Sequence, residues 1–197
     1  MKKVLALELV ILVSLVLGSI WTEGEISEYL HIAWLLWSVL TVRPSISFGN
    51  LQNFKSGWLM FGVALAACIA LLIAGALCGT MRDWGRLNAF HYFPLAVLQQ
   101  FIALIYIAPR LEILFGERGV IVLGTVIFGA IHLPNIPLTL FTLAGGAWFF
   151  WVFTKYRNFY VNAFSHFILG SSLSWAFATK LGHMTIGKQY MAFYLNP

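Results

Sequence analysis

Apolar runs separated by a few charges divide this chain, and most of the runs have the length of a bilayer crossing. Spanning about 30 Å of hydrocarbon takes roughly 20 helical residues. Residues 4–21 form the first run, followed by an acidic turn with Glu23, Glu25 and Glu28. Residues 29–42 form a shorter run, marginal for a full crossing, before Arg43, Pro44 and Lys55. Uncharged stretches of 26 residues (between Lys55 and Arg82) and 23 (between Arg86 and Arg110) follow. The 36 residues between Arg118 and Lys155 are too many for one helix. Leu133-Pro134-Asn135 and Pro137 divide them in two, because proline ends or kinks a helix. A further 22 uncharged residues lie between Arg157 and Lys180, and the apolar tail at 190–195 is too short to cross. The pattern predicts an all-α, polytopic membrane helix bundle with about seven transmembrane helices, seven if residues 29–42 cross. It reads as one integral membrane domain over 1–197.

Composition agrees. The 197 residues are 60% hydrophobic and 10% charged, and a soluble domain carries about 25% charged residues. The net charge of +5 is scattered and forms no basic cluster, so it argues topology and no nucleic-acid partner. With a cytoplasmic N-terminus, Lys2, Lys3, Arg43, Lys55, Arg110, Arg118, Lys155 and Arg157 fall inside and Arg82, Arg86, Lys180 and Lys188 outside, which satisfies the positive-inside bias. The first run begins like a signal peptide, but Glu8 interrupts it and no small-x-small cleavage site follows. It reads as a retained first span, with Glu8 snorkelling near its end. Cys68 and Cys78, ten residues apart in one run, lie too far apart on a straight helix for a disulfide.

Against this apolar background two histidines stand out, His132 in VIFGAIHLPN and His166 in NAFSHFILGSS. An ionisable group inside a bilayer costs about 2 kcal/mol or more unless compensated, which makes it a functional-site candidate. Gln99 and Gln100 sit in the middle of another uncharged run. Phe128 precedes His132, and Asn162 precedes His166, by one helical turn on the same face. Asn162 is placed to orient the His166 ring, and Asn135 to do the same for His132 through a turn. The bland alternatives are interhelical hydrogen bonding by each histidine and by one of the glutamines, since adjacent glutamines point about 100° apart. Two histidines without a matching Asp, Cys or Glu fall short of a zinc site, so no metal is expected. Ser165, Ser171, Ser172 and Ser174 lack the elbow and buried carboxylate of a serine nucleophile.

Over residues 90–178 the chain resembles the CPBP superfamily, which contains the CAAX proteases and bacteriocin-processing proteins. Its members carry E-E-x-x-x-R, F-x-x-x-H and H-x-x-x-N/D in that order inside membrane helices. Phe128-Gly129-Ala130-Ile131-His132 matches the second motif, and His166 takes the place of the third-motif histidine. Gln99 and Gln100 stand where the family has its glutamates, Leu104 where it has arginine, and Gly170 where it has the final polar residue. The resemblance implies a CPBP-like core and an intramembrane endopeptidase without a cofactor. Its substrate would be a membrane-anchored peptide or protein, and its setting a bacterial inner membrane. In the family a glutamate activates water, and glutamine is neither acid nor base near pH 7. Glu112 follows Gln100 by about 18 Å of helix, out of reach. His132 then becomes the expected base, His166 its electrostatic partner, and Gln99 or Gln100 the holder of water or substrate carbonyl. Counted from the helix starts, Gln100 and His166 lie about 12 Å deep and His132 about 20 Å. The alternative is a catalytically inactive relative that binds a membrane-protein partner or lipid. A small transporter has less support, because no inverted repeat is evident.

Overall fold

The computed structural model describes residues 1–42, 57–82 and 89–195, and only the backbone of 89–91 and 193–195. The topological charges Arg43, Lys55 and Arg86 lie outside the described residues. Helix α1 (Lys2–Trp21) turns at Thr22 and Glu23 into α2 (Gly24–Thr41), and the two pack antiparallel. Ser27 Oγ donates to Ser19 O at one end of this hairpin, and Trp37 Nε1 donates to Glu8 O towards the other. Helix α3 is Trp58–Leu77, and α4 is Ala89–Gln100. At Phe101 the backbone widens into a π-helix that runs to Ile107 and passes into α5 (Ala108–Ala130). Helix α6 (Ile136–Tyr156) and α7 (Phe159–Phe177) follow, then a tight turn over Gly182–Met184 and a short α8 (Gly187–Leu195).

Local chemistry accounts for the boundaries. Asn135 caps α6 by accepting a hydrogen bond from Leu138 N, and Asn158 caps α7 through Val161 N. The expected break between Arg110 and Arg118 is a sharp bend at Gly116 (φ 72°, ψ −176°), a conformation open to glycine. Tyr92–Ala130 is therefore one helical stretch of 39 residues folded into two legs. Arg157 in the left-handed region ends α6, and its guanidinium holds Glu112 through bonds of 2.8 and 2.5 Å.

Among the described residues, four stretches are long and apolar enough to cross a membrane: Lys2–Trp21, Trp58–Leu77, Tyr92–Ala130 and Ile136–Tyr156. The chain is an integral membrane protein built as a helical bundle. The count differs from seven for identifiable reasons. The long third stretch holds two expected spans. Helix α2, the marginal run, does not reach the required hydropathy. Helix α7 is 19 residues long, but Asn162, Ser165, His166 and Ser172 lower its hydropathy and are all buried. It is an interior helix, packed against α3, α4 and α6. The large apolar residues left exposed, such as Leu59, Ile69 and Leu77 on α3 and Leu7 and Val10 on α1, face where lipid would be.

Two polar positions depart from expectation. Glu8 does not snorkel, and Arg110 is not a loop charge. The Arg110 guanidinium is fully buried and donates from Nε and Nη2 to Glu8 Oε2 at 3.1 and 2.9 Å. It also donates to Tyr106 O and Thr41 O at 3.0 and 2.7 Å and stacks 3.6 Å from the Tyr106 ring centroid. An intramembrane charge that cannot reach water needs such a partner. The cluster ties α1 and α2 to the π segment. Cys68 and Cys78 are both free.

Candidate active site

Helices α4, α5, α6 and α7 border a partly open cavity of about 470 Å³ whose lining includes Gln99, Phe128, His132 and His166. Gln99 comes from α4, Phe128 from the last turn of α5, and His132 from the turn that Pro134 and Asn135 bring to a close. His166 comes from the middle of α7. The Phe128 ring centroid is 5.6 Å from both imidazole centroids, so one aromatic side chain packs against both histidines. The Phe149 ring centroid is 5.2 Å from that of His166.

Hydrogen bonds fix the His132 ring. Its Nδ1 lies 2.8 Å from Phe128 O. A carbonyl only accepts, so Nδ1 carries a hydrogen, and in the neutral ring Nε2 keeps its lone pair. His166 Nε2 pairs with the Tyr92 hydroxyl at 3.0 Å, and its Nδ1 has no partner among the described residues. Both rings are buried, with His132 8% and His166 7% exposed.

The remaining expected residues are placed differently. Gln100 is fully buried, does not line the cavity, and neither amide atom has a partner among the described residues. The 100° step between successive helical side chains turns it from the face that Gln99 presents. Asn162 does not orient His166: its Nδ2 donates to Asn158 O at 3.0 Å, and its Oδ1 has no partner among the described residues. Asn135 does not orient His132 either, because its side chain caps α6 and donates to Leu181 O and Thr185 O. No group of three or more His, Cys, Asp or Glu that could hold a metal occurs among the described residues.

Tyr92 is a polar cavity residue that sequence reasoning missed. It lies seven residues before Gln99, two turns along the same helix face. The matching signal was Gly170. Any Cβ at Gly170 would overlap the Tyr92 ring and hydroxyl. The absent side chain on α7 makes room for a phenol from α4, and that phenol supplies the polar partner of His166.

A second chamber of about 300 Å³ adjoins the first, and Leu95, Gln99, Phe128, His132 and Ile186 line both. It extends between α1, α2 and α5 and is lined mainly by apolar residues such as Leu12, Val16, Trp34 and Ile127.

Fold and site together define a helical integral membrane protein with a histidine-lined interior cavity. Residues 90–172 match the family described as Rce1-like, type II CAAX prenyl endopeptidase Rce1-like. The match covers less than half of the 197 residues, and the similarity is consistent with the CPBP superfamily. The family's description names a prenyl endopeptidase, an activity that belongs to the family described. No curated protein and no solved structure matches the chain.

Proposed function

We propose that this protein is a CPBP-type intramembrane endopeptidase in which a neutral histidine does the proton transfer that the family assigns to glutamate. One observation carries the reading: Gln99, His132 and His166, from two separate helices and a turn, line a single cavity. His132 is the base. With Nδ1–H held by Phe128 O, Nε2 accepts a proton from water as the oxygen attacks a peptide carbonyl. Gln99 holds that water, or the carbonyl, through its amide. His166, tethered by Tyr92, donates to or polarises the oxygen that becomes negative. The proton on His132 then passes to the leaving amine. Burial makes these hydrogen bonds stronger than they would be in water. The substrate is a peptide or protein segment anchored in the membrane and cut near the bilayer surface. The setting is a bacterial inner membrane with the N-terminus inside.

The test is a comparison of newly formed N-termini in membranes expressing the parent, His132→Ala or His166→Ala at equal levels. Cleavage products present with the parent and absent with both variants are expected. Products that persist at full level with both variants would end the catalytic reading.

One observation favours a second reading. No Asp or Glu lines either chamber among the described residues. On that reading the chain is a relative without catalysis, and the cavity binds a membrane partner or lipid. Gln99→Glu separates the two, because peptidase activity gained by this variant and absent from the parent would mark a scaffold whose base has been lost.

A further inference from the structure

The C-terminal segment, beyond the family match, forms part of the cavity lining. Leu181 packs with Leu138 of α6 and Leu173 of α7, and Met184 and Ile186 pack against them. Met184, Thr185 and Ile186 line the histidine cavity, and Ile186 also lines the adjoining apolar chamber. The segment is thus a wall of the site and stands where the two chambers meet.

Its fastening is specific. The fully buried Asn135 donates from Nδ2 to Leu181 O at 2.8 Å and to Thr185 O at 3.0 Å, bracketing the turn. Gly187 N donates to Leu133 O at 2.9 Å. At Gly187 (φ +56°) a Cβ would collide with Ile20 O, so the segment also passes tightly against the end of α1. Between these fastenings Gly182, His183 and Met184 all have positive φ (56°, 52° and 63°). For His183 and Met184 this conformation is unfavourable and persists where surroundings enforce it.

We propose that residues 181–187 are a latched strap that selects what enters the cavity. Asn135 is the latch, and Ile186 sets the bore between the chambers. The consequence for specificity rests on the cavity being the peptide site, but the strap can be tested without peptidase activity. In the full chain carrying Cys68→Ala and Cys78→Ala, a reporter thiol is placed under the strap by Leu138→Cys. Its alkylation is timed with N-ethylmaleimide and with the bulkier fluorescein-5-maleimide. Asn135→Asp keeps the acceptor that caps α6 but loses both donors to the strap. It is expected to speed both reagents at least tenfold, measured well below a melting temperature that itself falls, because the buried acid then faces two carbonyl oxygens without a donor. Ile186→Ala should speed the bulky reagent several-fold more than the small one, and Ile186→Trp should slow the bulky one several-fold. If Asn135→Asp folds and both rates stay within twofold of the parent, the latch is refuted. If Asn135→Asp fails to fold, the Ile186 pair decides, and equal effects on the two reagents overturn the proposal. Loss of cleavage in the His132 and His166 variants is scored separately, so either idea can fail alone.

Discussion

Glu8 and Arg110 offer the sharpest test of how the bundle is held together. The Arg110 guanidinium has no exposure and makes four hydrogen bonds, two of them to Glu8 Oε2. Glu8→Leu removes those two and leaves a fully buried cation facing two backbone carbonyls. Breaking a buried ion pair by removing one partner costs about 3–5 kcal/mol, because the remaining charge stays desolvated. Replacing both partners by apolar groups is often close to neutral. The double variant Glu8→Leu/Arg110→Met should therefore recover at least half of the loss, although Thr41 O and Tyr106 O lose a donor. The measurement is reversible unfolding in mixed micelles by titration with a denaturing detergent, with both single variants and the double in one cycle. A Glu8→Leu cost below about 1 kcal/mol, or a double variant that costs the sum of the singles, would refute the reasoning. The effect should reach the cavity as well, because the cluster pins α1 and α2, whose residues wall the second chamber. Glu8→Leu should then also weaken retention of an apolar fluorescent probe by the folded protein.

Tyr92→Phe removes the hydroxyl 3.0 Å from His166 Nε2. It should cost about 1 kcal/mol of stability and roughly tenfold in cleavage, read from unfolding curves and product N-termini; unchanged cleavage would detach Tyr92 from the site. Gly170→Ala puts a methyl into the Tyr92 ring and should destabilise by about 1–3 kcal/mol, visible as a lower melting temperature. Gln100→Leu replaces a buried amide that has no partner among the described residues. It should be neutral or stabilising by about 1 kcal/mol with cleavage retained, whereas Gln99→Leu should abolish cleavage. Equal loss from both glutamine variants would contradict the division of roles between them.

The sequence carried more of the fold than of the site, and particular residues show why. Span positions follow from where charges are tolerable, and that signal is local, so α1, α3 and α6 appear close to where the apolar runs place them. It fails where a polar residue is compensated at long range. Arg110 reads as a loop charge until Glu8, 102 positions away, is seen to neutralise it. Helix α7 loses its membrane signature because the residues that turn inward are polar. The same limit governs the site. Gln99, Phe128, His132 and His166, which line the cavity, stand out in the sequence because each is costly or motif-bearing where it sits. Their hydrogen-bond partners do not. Helical spacing nominated Asn162 for His166, because residues four apart are neighbours, but the intrahelical carbonyl of Asn158 holds the Asn162 amide instead. The phenol comes from another helix, through a gap left by a glycine. Asn135 was likewise nominated by proximity to His132 and instead fastens a segment some 50 residues downstream. Residues that a helix supports by itself can be read from one sequence. Those that a site borrows from elsewhere in the chain need the packing, and in this protein the borrowed groups, Tyr92 and the 181–187 strap, distinguish its cavity from the motif pattern it resembles.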